Sequence, residues 1–164
     1  MFDFENRDER RYHDRAAVLI CASLLDHALE TAILSYFVQL DQNEHRDIFA
    51  EDGPLSTFSA KIRLAYALGI FGPNTKKDLV VIQSIRNAIA HSRSHLNFQS
   101  PEIVEACRHI SFAAKESVAW EGKEITYAND QYILACKWLC VYLFWSPGEP
   151  IVEYKSSDWE PIAN

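Results

Sequence analysis

The sequence lacks the features that mark multidomain, secreted or membrane-spanning chains. No segment is of low complexity, and no internal repeat divides the 164 residues. The N-terminus has no basic region followed by an apolar run. The longest apolar run, 132–145, is interrupted by Lys137 and is shorter than the ~20 residues that cross a bilayer. We therefore expect a single cytoplasmic domain with no membrane partner.

Basic residues are scarce for a nucleic-acid-binding protein. The chain has 16 Lys and Arg against 23 Asp and Glu, which gives a formal charge of −7. Phosphate contacts need a surplus of cations on one face. Small basic groups occur at 10–15 and at Lys61 and Arg63, and we interpret both as solvated surface. The composition therefore predicts no tight DNA binding by this chain alone.

Four cysteines are present, but their spacing does not form a metal motif. All four lie in apolar helical patterns, where a free thiol packs as a small hydrophobic group. Cys136 and Cys140 are one helical turn apart, and a metal would need two further ligands, for which only Cys107 and His109 are close in sequence. We predict that these three cysteines and Cys21 belong to the core, with no metal and no cofactor.

Apolar residues recur at helical spacing through most of the chain. Five helices are predicted, over residues 14–40, 57–71, 74–92, 101–112 and 130–145, and one short helix is predicted within 41–52. The second and third helices should form an antiparallel hairpin, because their connection is short. The predicted fold is all-α, a single helical bundle with the first helix, 74–92 and 130–145 at its centre.

Three features complete the predicted organisation. Asp26 and Glu30, one turn apart on the first helix, are interpreted as solvent-facing carboxylates. Residues 117–127 predict a small β-hairpin around a glycine turn. The helical domain covers 1–145, and 146–164 is predicted to be an extended C-terminal tail that docks on the body or on a partner.

A symmetric homodimer is also predicted. Two long helices have more large apolar residues than one body of this size needs to bury. The tail adds Tyr154 and Trp159 to that excess. A second copy of the chain would cover these residues.

The most informative stretch lies at the end of the 74–92 helix. Arg86, Asn87 and His91 place a guanidinium, an amide and an imidazole among apolar residues. Asn87 and His91 are four residues apart and share a face, whereas Arg86 lies roughly 140° round the helix from His91. A guanidinium holds a phosphate or carboxylate, and an imidazole acts as general acid or base near neutrality.

The spacing of Arg86 and His91 resembles the Arg-x(4–6)-His signature of HEPN domains. That resemblance implies a helical bundle with metal-independent ribonuclease activity. In that chemistry His91 would be the acid or base, Arg86 would stabilise the phosphorane charge, and Asn87 would orient either group. Two motifs would meet across a dimer interface. In the simpler interpretation, His91 and Asn87 only close the helix end.

Three blocks resemble the mannitol operon repressor family (MtlR/YggD-like proteins). They are DRAAVL at 14–19 followed by LLD at 24–26, PLSTFSAKIR at 54–63 followed by ALGI at 67–70, and IRNAIAH at 85–91. The resemblance covers roughly residues 14–110, and we identify none beyond 113. It implies a helical protein without a helix-turn-helix, with a regulatory role exercised through protein partners.

Two functional hypotheses follow from these observations. The first is a regulatory, non-enzymatic protein that associates with other proteins. The alternative is the metal-independent endoribonuclease, in which RNA would be the substrate and Arg86, Asn87 and His91 the catalytic residues. The acidic composition favours the first hypothesis, because it would repel RNA.

Overall fold

The computed structural model describes residues 4–50, 52–92, 96–111 and 127–145, with side chains from residue 13 onward. These residues form six helices and no strands, which confirms the predicted all-α class. The helices are α1 (Phe4–Leu34), α2 (Gln42–Phe49), α3 (Phe58–Ala67), α4 (Pro73–His91), α5 (Pro101–Arg108) and α6 (Ala128–Trp145).

Helix α1 is displaced toward the N-terminus relative to the predicted 14–40. It begins at Phe4, because the mixed-charge residues 5–11 include several good helix formers that continue the pattern. It ends at Leu34, where the Tyr36 and Phe37 N–H groups bond to carbonyls only three residues earlier. This tighter pattern is typical of a helix end and stops α1 six residues before the predicted position.

The short helix expected within 41–52 is α2. The carboxylate of Asp41 accepts the N–H groups of Asn43 and Glu44, and the Glu44 side chain accepts the N–H of Asp41. This reciprocal capping box satisfies donors that the first turn would otherwise leave unpaired. The turn that follows requires Gly53, because a Cβ there would collide with the backbone of Ile48.

Helices α3 and α4 form the predicted antiparallel hairpin. The Lys76 ammonium of α4 lies 4.1 Å from the centroid of the Tyr66 ring near the end of α3. Helix α3 ends at Ala67 rather than at the predicted residue 71, because Gly69 adopts a left-handed φ of +70°. Helix α4 begins at Pro73, whose fixed φ suits the first helical position.

Helices α1 and α6 run parallel at the centre of the bundle. The Tyr132 hydroxyl donates to the Val18 carbonyl at 3.4 Å, and further along both helices the His27 and Phe144 rings lie 6.3 Å apart. Helix α1 also packs against α3 and α4. The core includes fully buried residues from all three predicted central helices, among them Leu25, Leu29, Leu79, Ile82, Ile85, Leu139 and Leu143.

Helix α5 closes the other side of α4. It ends at Arg108, earlier than the predicted residue 112, since the next N–H groups also bond to carbonyls three residues back. The buried Asp78 carboxylate accepts the Ser111 N–H at 3.1 Å, and the Gln131 amide donates to the Ile110 carbonyl at 2.8 Å. These bonds attach the segment after α5 to α4 and α6.

Two predicted elements lie outside the described residues. They are the β-hairpin at 117–127, of which only Tyr127 is described, and the tail at 146–164.

One feature of α1 was not predicted from the sequence. Residues His13–Leu34 of α1 are long and apolar enough to cross a membrane by length and composition. A central core helix passes the same test, and here α1 packs against α3, α4 and α6.

Candidate functional site

A polar cavity of about 450 Å³ lies between α1, the beginning of α3 and the second half of α4. Its walls include hydroxyl, amide, carboxylate and guanidinium groups, contributed by Ser23, Asp26, Thr57, Ser59, Gln83, Arg86 and Asn87. Volumes of 300–1,000 Å³ are typical of small-molecule sites. Two of the three residues of the predicted motif therefore lie in one concave site.

Each wall of the cavity follows from local helix geometry. On α1 the lining residues Leu19, Ser23 and Asp26 are spaced by four and three, which places them on one face. On α4 the same rule brings Gln83 together with Arg86 and Asn87. The third wall, residues 56–59, is the start of α3, where the Thr57 hydroxyl caps the Ala60 N–H at 3.2 Å.

Arg86 and Asn87 form a hydrogen-bonded pair on the cavity wall. Arg86 Nη1 donates to Asn87 Oδ1 at 2.9 Å, and both residues are exposed. Among the described residues, no carboxylate lies within 4 Å of the guanidinium. The amide thus orients one edge of Arg86 and leaves its other donors available to a ligand.

His91 lies apart from this pair. It is the last residue of α4, is exposed, and does not line the cavity. The helix is followed by Ser92 as its C-cap, and Arg15 of α1 donates to the Ala90 carbonyl at 3.1 Å. The Arg15 guanidinium thus lies at the C-terminal end of α4, where the helix dipole is negative and favours a positive charge. The catalytic assignment of Arg86, Asn87 and His91 stays a prediction.

A buried lysine adjoins the cavity, and sequence reasoning missed it. The Lys61 side chain is 4% exposed, and its ammonium donates to Asp26 Oδ2 at 3.0 Å and to Glu30 Oε2 at 2.7 Å. His45 of α2 lies 3.1 Å from the other Glu30 oxygen and stacks on Phe49. The cluster therefore joins α1, α2 and α3.

Two surface assignments were wrong. Asp26 and Glu30 are not freely solvated carboxylates, because their shared face meets α3 and both bind the buried Lys61. Lys61 is not part of a solvated basic patch, although Arg63 is exposed. The available signal was the pair of carboxylates one turn apart inside an apolar helix, since a charge there needs a partner. Asp26 Oδ1 remains buried without a hydrogen-bond partner among the described residues.

The four cysteines are free thiols in or beside the core. Cys107 and Cys136 are buried, while Cys21 and Cys140 are partly buried. Burial raises the pKa of the Cys107 thiol to about 11 and that of Cys140 to about 11, because a thiolate is poorly solvated there. The described residues contain no group of three potential ligands that could hold a metal ion.

The chemistry of the cavity is that of a binding site with many donors. Its carboxylate, Asp26, already accepts a hydrogen bond from Lys61. The oxygen of Asn87 is occupied by Arg86, so its amide nitrogen remains as a donor. The site therefore offers donors around Arg86 and Asn87, and one acceptor, Asp26 Oδ1, that has no partner among the described residues.

Comparison with known proteins identifies the family. The family model described as "Mannitol repressor" matches residues 10–139, which are 130 of the 164 residues. The match extends through most of α6, beyond residue 113, where sequence inspection identified no resemblance. No curated protein and no solved structure matches the chain significantly. The chain therefore belongs to the mannitol repressor family, and this membership indicates a regulatory role.

Proposed function

We propose that this protein regulates through association with protein chains, beginning with a second copy of itself, and does not bind DNA tightly on its own. Family membership supports the regulatory role. The observation that carries the mode of action is an exposed apolar surface where α1 and α6 meet. We call this the α1/α6 surface and define it by Ile20, Leu24, Val141, Phe144 and Trp145.

The α1/α6 surface is unusually apolar for solvent-exposed helix. Ile20 and Leu24 are 59% and 57% exposed, and Trp145 is 85% exposed. Phe144 of α6 contacts His27 of α1 edge-on, and helix spacing places Ile20 and Leu24 on the same face of α1 as His27. Contiguous apolar patches of this kind are typical of protein interfaces.

The spacing on both helices favours a second copy as the occupant. Ile20, Leu24 and His27 are separated by four and three residues, and so are Lys137, Val141 and Phe144. Each row therefore presents two large apolar residues on one helix face, next to His27 on α1 and Lys137 on α6, and such a face can pack against another helix. A two-fold axis would set identical faces against each other, so that one patch supplies both halves of the interface.

The charge balance supports the absence of tight DNA binding. The chain carries a formal charge of −7, whereas each phosphate contact requires a cation. Arg15 is hydrogen-bonded to the end of α4, and Lys61 is buried between two carboxylates. Two of the cations that the sequence assigned to surface basic groups are thus engaged within the chain, Arg15 in an exposed hydrogen bond and Lys61 in the core.

Light scattering at micromolar concentration tests the homodimer. We expect twice the chain mass of 18.8 kDa, and we expect Leu24→Glu with Trp145→Glu to return the monomer mass, because a charge in an apolar interface is poorly solvated. Val80→Glu is the matched control, since Val80 is also an exposed apolar residue (43%) but belongs to α4. A monomeric wild type, or a control that dissociates equally, would contradict the proposal.

Fluorescence anisotropy with operator-length duplex DNA tests the second part. We expect no saturable nanomolar binding by the purified protein at physiological salt. Binding of nanomolar affinity that weakens steeply with salt would contradict it, because that slope reports displaced phosphate counterions.

A further inference from the structure

We propose that the cavity between α1, α3 and α4 binds a small molecule that bears an oxyanion group, either a carboxylate or a phosphate. The proposal rests on the side chains of the cavity and not on the proposed regulatory function. It assigns to Arg86 and Asn87 a role in ligand binding that does not involve His91.

Arg86 is the cation that the proposal requires. It is exposed in the cavity, and no described carboxylate lies within ion-pair distance of it. Its contact with Asn87 Oδ1 at 2.9 Å restrains the guanidinium. A restrained planar fork of donors matches two oxygens of a carboxylate or phosphate at little entropic cost.

The remaining polar groups of the cavity reinforce that preference. Asp26, the acidic residue of the lining, is bonded at 3.0 Å to the buried Lys61 ammonium, which it shares with Glu30 and which offsets part of its charge. Asn87 keeps its amide nitrogen as a donor. Ser23 and Ser59 add hydroxyls that can donate to an oxyanion. An anionic ligand thus meets several donors and one carboxylate whose charge Lys61 offsets in part.

The start of α3 adds two backbone donors to the same wall. The N–H groups of Phe58 and Ser59 have no acceptor among the described residues, and both residues line the cavity. N–H groups in the first turn of a helix are unpaired within the helix and favour negative charge. They supplement the guanidinium, which supplies the formal charge.

The size of the cavity selects a small molecule over a nucleic acid. A volume of about 450 Å³ suits a metabolite and is closed on three sides by helices. Phosphate groups of a duplex would require further cations around the rim, whereas Arg86 is the single cationic residue of the described lining.

Titration of the full-length protein with inorganic phosphate and, separately, with acetate tests the proposal. Amide shifts are followed by NMR at constant ionic strength, with chloride as the compensating anion. We expect saturable shifts at Ser59, Arg86 and Asn87 with a Kd of roughly 1 mM. Saturation by both anions identifies the general oxyanion site, and saturation by phosphate alone restricts the ligand to phosphate compounds.

Three variants test whether anion binding depends on the Arg86 guanidinium. Arg86→Gln should weaken binding at least about tenfold, and Arg86→Lys should be intermediate, because lysine keeps the charge but loses the fork. Arg63→Gln removes an exposed arginine of α3 that does not line the cavity, and should bind as the wild type. Shifts that do not saturate, or an equal loss in Arg63→Gln, would overturn the proposal. Arg86 does not belong to the α1/α6 surface, so Arg86→Gln should leave the light-scattering mass unchanged and this test is independent of the dimer.

Discussion

The buried Lys61 permits the sharpest stability prediction, the substitution Lys61→Met. Methionine preserves most of the aliphatic stem and removes the ammonium. The variant leaves Asp26 and Glu30 facing α3 without the cation that lies 3.0 Å and 2.7 Å from them. It also removes a cation 5.9 Å from the centroid of the Phe49 ring. The dominant loss is the ion-pair partner of two carboxylates in a poorly hydrated site.

The structure sets the expected magnitude. Removing one partner of a buried ion pair costs ~3–5 kcal/mol, because the other charge is left uncompensated. Glu30 and Asp26 are 16% and 31% exposed, so water still reaches part of each carboxylate. We therefore expect the lower end of that range, about 3 kcal/mol of unfolding free energy.

Urea denaturation followed by circular dichroism measures this loss. With an m-value of about 2 kcal/mol/M, the midpoint should fall by roughly 1.5 M. The matched control is Lys77→Met on α4, where the lysine is exposed, and it should change stability by less than about 0.5 kcal/mol.

A rescue variant separates charge from packing. Lys61→Met combined with Asp26→Asn and Glu30→Gln should recover more than half of the lost stability, because neutral amides no longer repel each other. A cost below about 1 kcal/mol for Lys61→Met would refute the argument. So would a triple variant no more stable than the single one, since packing would then account for the loss.

Three further predictions follow from local structure. Thr57→Ala should cost about 1 kcal/mol in a thermal or urea melt, because it removes the cap of the Ala60 N–H, whereas Thr57→Ser should cost little. Cys107 and Cys140 should react slowly with iodoacetamide at pH 8, below their raised pKa of about 11, and become reactive in denaturant; rapid labelling of the native protein would contradict their burial. His91→Ala should change stability by less than about 0.5 kcal/mol, because His91 is exposed. His91-dependent cleavage of RNA in metal-free buffer would instead favour the alternative, the ribonuclease.

Helices and much of the core could be predicted from local pattern. Apolar residues at spacings of three and four predicted the buried faces of α1 and α4, and Leu25 and Ile85 are indeed buried. The nearly all-apolar segment 130–145 predicted an inner helix, and Leu139 is buried there, although Trp145 is exposed. Helix ends were less predictable. Gly69 ends α3 through its left-handed backbone, and a glycine at that position can be recognised in the sequence. The end of α1 depends on backbone hydrogen bonds of Tyr36 and Phe37, which no residue type in the sequence indicates.

The sequence indicated the part of the candidate site that belongs to α4 but not the parts that belong to other helices. Arg86 and Asn87 could be singled out as polar groups late in an apolar helix, and the structure places both in the cavity. The remaining walls come from residues 19–26 and 56–59, distant in sequence from α4. Periodicity relates residues of one helix and contains no information about which helix packs opposite them.

The sequence by itself determined the class of fold, the helical segments and the acidic charge, because these depend on neighbours within a few turns of chain. Only the tertiary structure decided that Asp26 and Glu30 meet Lys61, more than thirty residues away. It also decided that Arg86 and His91 separate, one into a cavity and the other to the exposed end of α4. Those outcomes depend on how whole helices pack, and the free energy of packing is shared by residues that are remote in sequence.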